Sequence, residues 1–225
     1  MKTLLRLGIP TGFQLSCDIL AWSVFMLVII ARFGTPALSA NAFAFTYMHV
    51  GFMPALGVGS AVTALVGKYI GMGRPDIAER RAHLGFVVVA IYMLVCGLCF
   101  FLFRHDLIRL FSNDPEVLRI GAVILTFVAA YQIFDAMFVV YSSALRGAGD
   151  TLVPTLVQIT LVWTIVVGGG ALAVRYAPAY GVSGPWTVAS FFGALLGIYL
   201  LLRFRRGRWK SIRLHEHPPQ PIPGV

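Results

Sequence analysis

The sequence predicts an all-α, polytopic membrane protein with six transmembrane helices. Three observations carry this. The 225-residue chain is 58% hydrophobic, with a mean hydropathy of +0.82. Only 12% of its residues are charged, against about 25% in a soluble domain. Those few charges divide the chain into six apolar stretches, each at least the roughly 20 residues needed to cross a bilayer. Most soluble enzyme folds are excluded at once.

The spans are read in order from the gaps between charges. Residues 7–31 hold one charge, Asp18, and residues 33–67 hold none. Residues 84–103 are uncharged, and residues 120–145 contain only Asp135. The last two gaps cover residues 151–174 and 176–202. The predicted helices are therefore 10–31, 37–66, 82–103, 118–145, 152–174 and 182–202. The second is long enough to tilt or bend, and Gly51, Pro54, Gly57 and Gly59 offer places to do so. The first resembles a signal peptide, but its apolar run is too long and carries Asp18, so it is read as a helix that stays. Residues 104–113 alternate apolar and charged side chains and suit the membrane interface. Ser112-Asn113-Asp114-Pro115 reads as a helix entry with proline in the first turn. Gly67-x-x-x-Gly71 and Gly193-x-x-x-Gly197 permit close helix contact.

Orientation follows from the loops. With the amino terminus in the cytoplasm, thirteen of the eighteen Lys and Arg lie inside and five outside. This split places both termini in the cytoplasm, and the membrane expected is the plasma (inner) membrane. It also accounts for most of the +9 net charge, so no nucleic-acid partner is needed. Residues 1–203 form the membrane domain. Residues 204–225 form a basic, then Pro-rich, cytoplasmic tail, whose basic run from Arg203 to Arg213 is expected at anionic lipid headgroups. The three cysteines imply no disulfide framework. Cys96 and Cys99 form a C-x-x-C inside an apolar run without a second pair or a nearby His, and ordinary helix packing explains them.

The informative residues are the two intramembrane carboxylates. An Asp at a helix centre costs about 2.5–3.5 kcal/mol on insertion scales. It persists with a partner, water, a proton or a bound cation. At 1.5 Å per residue, Asp18 lies about 12 Å from the cytoplasmic end of the first helix. By the same rise, Asp135 lies about 16 Å from the cytoplasmic end of the fourth. The two therefore share a depth. Gln14, Asp18 and Trp22 recur on one helix face, as do Tyr131, Asp135, Phe138 and Ser142. If the faces meet, two carboxylates, a phenol and an amide surround one small cavity. Close carboxylates repel and take up protons or a cation as a unit. The alternative is that each Asp merely bonds to a neighbouring helix. Trp22, Phe25, Met137, Phe138 and Tyr141 lie on these two helices, with lipid contact or core packing as their plainer role. No nucleophile–base pair, metal cluster or phosphate loop stands out, so an enzyme is not expected.

Five stretches resemble the carboxy-terminal half of multidrug and toxic compound extrusion (MATE) transporters, in that family's order. They are LGIPTGFQLSCD (7–18), FGTPALSANAFAF (33–45), GVGSAVTALVGKYIGMGRPDIAERRA (57–82), YQIFDAMFVVYSSALRGAGDT (131–151) and GVSGPW (181–186). The resemblance covers nearly the whole chain, and the Leu-Arg-Gly-x-Gly-Asp-Thr run at 145–151 is its most specific part. It implies one six-helix lobe of a two-lobe exporter of lipophilic or cationic small molecules, exchanged for Na⁺ or H⁺, with no cofactor. It further implies a cation site at Asp18, Asp135 and Tyr131, where Na⁺ is the only metal ion expected. Gln14, Trp22 and Phe138 would then line the substrate path, with Phe25, Met137 and Tyr141 as further candidates for its face. The partners implied are membrane lipid and a second lobe, supplied by a homodimer or a separate chain. The sequence departs from the family in three ways. Its first-helix acid is Asp18, where Glu is common. Its fifth helix has Gly168, Gly169 and Gly170 after Trp163, where a proline is frequent. A single lobe is present. The alternative functions are a lipid-linked sugar flippase of the same superfamily, and a truncated lobe with no transport of its own.

Overall fold

The structure, a computed structural model, describes residues 2–211, with side-chain surroundings from residue 12 to residue 210. Arg213 and the Pro-rich end of the expected tail lie outside the described residues. Six described helices are long and apolar enough to cross a membrane. The first span is α1 (Lys2–Val24), continued by a π turn (Phe25–Ile29) and a 3₁₀ turn (Ile30–Phe33). Helices α2 (Thr35–Gly71) and α3 (Pro75–Leu102) follow, then the short α4 (Arg104–Arg109) and the long α5 (Pro115–Gly147). The fifth span is α6 (Leu152–Leu161), a π turn (Val162–Gly169) and α7 (Gly170–Tyr176). The sixth is α8 (Ser183–Arg205), followed by a 3₁₀ turn (Arg208–Ser211).

Local chemistry sets the helix ends. Asp114 caps α5 by accepting from the Glu116 amide at 2.8 Å, and Pro115 occupies the first turn. Gly34 and Gly73 adopt left-handed backbone at the two ends of α2, which L side chains resist. Helix α3 begins seven residues earlier than the apolar stretch predicts. Its first two turns carry Asp76, Glu79, Arg80 and Arg81. Hydropathy marks the bilayer, whereas helical hydrogen bonding runs on past it.

Helix α5 is the core of the bundle. It packs against α2, α3 and α8, and half of its span is buried. Lipid offers no hydrophobic drive for helix association, so these contacts depend on close approach at small residues. A Cβ on Gly97 of α3 would lie 2.9 Å from the Ala129 carbonyl. On Gly193 and Gly197 of α8 it would meet the Tyr131 ring at 2.2 Å and the Phe134 carbonyl at 3.0 Å, so this pair packs as its spacing suggests. In the other pair only Gly67 packs, against Gly147, while Gly71 faces open space. Two of the expected bending points, Gly51 and Gly59, turn out to be contacts, while Gly57 faces open space. Helix α2 is continuous through Pro54, with Gly51 set against Gln132 and Gly59 against Ser143. In the fifth span a π turn stands where the glycine triplet begins, and Gly169 and Gly170 seat Val188 and Ile29.

At the end of the bundle expected to be cytoplasmic, part of the basic run turns inward. Arg203 forms a two-pronged pair with Asp150 at 2.8 Å, and Lys210 reaches Glu79 at 2.6 Å. Trp209 is fully buried, stacks on Phe204 and donates to its carbonyl at 2.7 Å. At the opposite end, α4 buries Ile108, and Leu110 and Phe111 just after it are exposed, which suits an interfacial segment.

Candidate functional site

A cavity of about 510 Å³ opens among α1, α2, α5, α6 and α8. The structure brings Gln14, Asp18, Trp22, Tyr131, Asp135 and Phe138 together around it. The helical repeat explains this: Gln14, Asp18 and Trp22 stand one turn apart on α1, and Tyr131, Asp135 and Phe138 do so on α5. Ser142, expected on the same face, is buried instead and donates to the Val139 carbonyl at 3.3 Å. Of the other aromatic and methionine candidates, Phe25 packs on Trp186 and Met137 on Gly197. Tyr141 meets the His83 ring nitrogen at 3.2 Å, and none of these three reaches the cavity.

The acidic end of the site is buried. Asp135 is 5% exposed, and its Oδ2 has no hydrogen-bond partner among the described residues. Tyr131 fills the slot left by Gly193 and lines the same cavity as Asp135 and Asp18. Asp18 is tied to α6. Gln158 donates to its Oδ2, Gln14 donates to Gln158, and Thr155 donates to Gln14 at 2.9 Å. An aromatic wall completes the site: Trp22 meets the edge of Phe45 at 5.5 Å, and Phe45 leans on Trp186. The Trp186 indole donates to Asn41 at 3.1 Å and is thereby fixed.

Sequence reasoning missed Gln158 and Thr155. Their signal was faint: two polar residues three apart inside an uncharged span. It also missed His49 and Arg146, which line the same cavity. Among the described residues no group of three His, Cys, Asp or Glu could hold a metal ion. The donor set is a pair of carboxylates with a phenol and amides, which suits a proton, a monovalent cation or a cationic group. In low-dielectric surroundings such a pair attracts positive charge strongly.

Fold and site together define a helical membrane transporter lobe with an acidic, aromatic-walled cavity inside its spans. The MatE family model matches residues 15–169, and the chain belongs to the MatE family of MATE-type transporters. It is 29% identical over 213 residues to the probable multidrug resistance protein NorM of Thermotoga maritima, covering 93% of this chain and 45% of that protein. Multidrug resistance protein PmpM of Pseudomonas aeruginosa is 29% identical over 218 residues, covering 95% and 45%. The chain thus spans about half the length of the curated relatives it matches. In fold it matches the eukaryotic MATE transporter AtDTX14 with a TM-score of 0.79 at 20% identity, covering 94% of this chain and 47% of that one. An outward-facing multidrug resistance MATE family transporter matches with a TM-score of 0.78 at 19% identity, covering 93% and 47%.

Proposed function

We propose that this chain forms one lobe, of the carboxy-terminal type, of a multidrug exporter that exchanges lipophilic or cationic compounds for Na⁺ or H⁺. The observation that carries this reading is the meeting of Asp18 and Asp135, from the first and fourth spans, on one cavity beside Tyr131. In this reading, Trp22 and Phe138 stack against the apolar body of the substrate while the carboxylates attract its charge. Na⁺ or H⁺ then occupies Asp18 and Asp135. Neutralising the pair removes the attraction, the first and fourth spans repack, and the substrate leaves. The exchange uses no cofactor.

A second lobe completes the path, either a second copy related by a twofold along the membrane normal or a separate chain. An even number of spans puts both ends of each lobe on one side, so two copies share a direction. Covering the polar face of Gln14, Asp18 and Asp135 relieves a cost of several kcal/mol in lipid. Arg146 and His49 give the cavity a basic side, the feature a flippase for lipid-linked sugars would use, but the paired acids favour cation exchange.

Two measurements test the reading. Reconstituted in liposomes, the chain is expected to move ethidium, a lipophilic cation, against an imposed Na⁺ or H⁺ gradient. Ethidium movement that ignores both gradients contradicts it. In this reading both termini face the cytoplasm and the chain sits in the plasma membrane, so in a cysteine-free background His105→Cys is expected to label from outside intact cells. Arg74→Cys is expected to label after permeabilisation, and the reverse pattern contradicts the orientation.

A further inference from the structure

Among the described residues lining the cavity, Arg146 carries the one permanent positive charge. It stands in the last turn of α5, at the end expected to be cytoplasmic. A long basic side chain near a helix end normally snorkels outward to the headgroups. Arg146 turns inward instead. Its guanidinium donates to Ser143 Oγ at 3.3 Å, one turn deeper on the same helix, and it shares the cavity with Asp18 and Asp135. The neighbours fix this direction. Leu145 and Gly147 are buried on other faces of α5, and Gly147 is pressed against the Thr63 backbone of α2. Helical side chains lean toward the amino-terminal end of their own helix, which for α5 is the direction of Asp135.

Arg146 is half-buried, and among the described residues no carboxylate pairs with it. The acid that follows it in the chain, Asp150, is held by Arg203 at 2.8 Å. The Arg146 charge is thus left to act on the cavity. We propose that Arg146 is a specificity-determining residue, which offsets one of the two cavity carboxylates and so selects singly charged cations against doubly charged ones. The inference rests on the cation-binding role proposed above for Asp18 and Asp135. With both carboxylates ionised, the guanidinium leaves the lining with a net charge of one negative unit instead of two. The remaining ionisable groups there are Tyr131 of α5 and His49 of α2. His49 is exposed and turns its Nδ1 to the Phe45 carbonyl of its own helix at 2.8 Å.

Distance sets the size of the effect. Asp135 lies about three turns from Arg146 along α5, roughly 16 Å, and the inward lean to Ser143 shortens this to about 12 Å. At that separation, with an effective dielectric constant of about 20, a unit charge beside Asp135 loses about tenfold in affinity to the guanidinium. A second charge on the same ligand doubles the repulsion, so the loss becomes about a hundredfold. Arg146 thereby shifts the preference for one charge over two by about tenfold. The same repulsion sets Na⁺ apart from Mg²⁺ and Ca²⁺. A plainer role, in which Arg146 only braces the end of α5 through Ser143, predicts that shape matters and charge does not.

Ethidium and propidium test this, because they share one ring system and carry one and two positive charges. Binding of each to the whole chain in nanodiscs of neutral phosphatidylcholine is measured without Na⁺, at one alkaline pH. Arg146→Gln is expected to raise ethidium affinity about tenfold and propidium affinity about a hundredfold. Arg146→Lys keeps the charge and is expected to keep the ratio of the two affinities. Ser143→Ala removes the hydrogen-bond acceptor but not the charge, and is expected to keep the ratio as well. The size difference between the dyes cancels, because ratios are compared between variants. Arg146→Met supplies a second neutral side chain should the glutamine variant fail to fold. An unchanged ratio in a folded neutral variant, with ethidium binding still lost when Asp18→Asn and Asp135→Asn are combined, overturns the role of Arg146 and leaves the carboxylate site standing. A ratio that shifts equally in Arg146→Lys overturns it too, because shape and not charge then sets the preference. Ethidium binding that survives the double carboxylate variant overturns the site and the proposal together.

Discussion

Asp135→Asn is expected to lower ion-coupled efflux by about ten- to a hundredfold while the chain still inserts and folds. Contacts to a charged group contribute about 1.5–3 kcal/mol each, which corresponds to that range. The substitution keeps the size and removes the ionisable group. Asp135 is buried on α5, and its Oδ2 has no donor among the described residues, so no hydrogen bond seen there is lost at that oxygen. The cost of holding a charge in the bilayer falls at the same time. Thermal stability in lipid is expected to hold or rise. Efflux in proteoliposomes and melting of the same sample are read together. Full ion-driven efflux by the variant removes Asp135 from the mechanism.

Gly147→Ala is expected to be among the most destabilising single methyl additions in the bundle, at about 3 kcal/mol, the upper end for overpacking. The added carbon would lie 2.4 Å from the Thr63 carbonyl oxygen and 3.1 Å from two further Thr63 backbone atoms. Backbone cannot rotate aside, so α2 and α5 must separate. Their separation also strains the bond from Thr63 Oγ1 to the Ser143 carbonyl at 3.0 Å. A melting temperature in nanodiscs equal to that of the unaltered chain contradicts the packing account. The same contact explains the run at 145–151. Gly147 permits the crossing, Gly149 adopts left-handed backbone in the turn, and Asp150 holds Arg203.

Much of the fold was legible because lipid makes charge placement so costly. The gaps between charges marked all six spans, although α3 starts outside its gap and two spans contain π turns that hydropathy does not register. The cavity was legible in part for the same reason. A carboxylate in a span is conspicuous, and helix rise put Asp18 and Asp135 at one depth before any packing was known. Gln158 and Thr155 were not legible. Neutral polar residues barely change a hydropathy profile, and these two gain meaning only from Gln14 and Asp18, more than 130 residues away. Trp209 was hidden too. It lies in a basic run that reads as a tail at lipid headgroups, yet the chain turns at Gly207 and buries the indole.

The central claim is that Asp18 and Asp135 serve cation and substrate in turn. Equilibrium binding of ethidium to the reconstituted chain, titrated against Na⁺ and against acid, tests it most directly. Ionised carboxylates attract the dye; protonated or Na⁺-occupied ones do not. Ethidium affinity is therefore predicted to fall as the pH drops or as Na⁺ rises, at least one of the two being effective. That dependence is predicted to disappear when Asp18→Asn and Asp135→Asn are combined. An affinity that stays constant across both titrations, or one whose dependence survives in the double variant, would contradict the account.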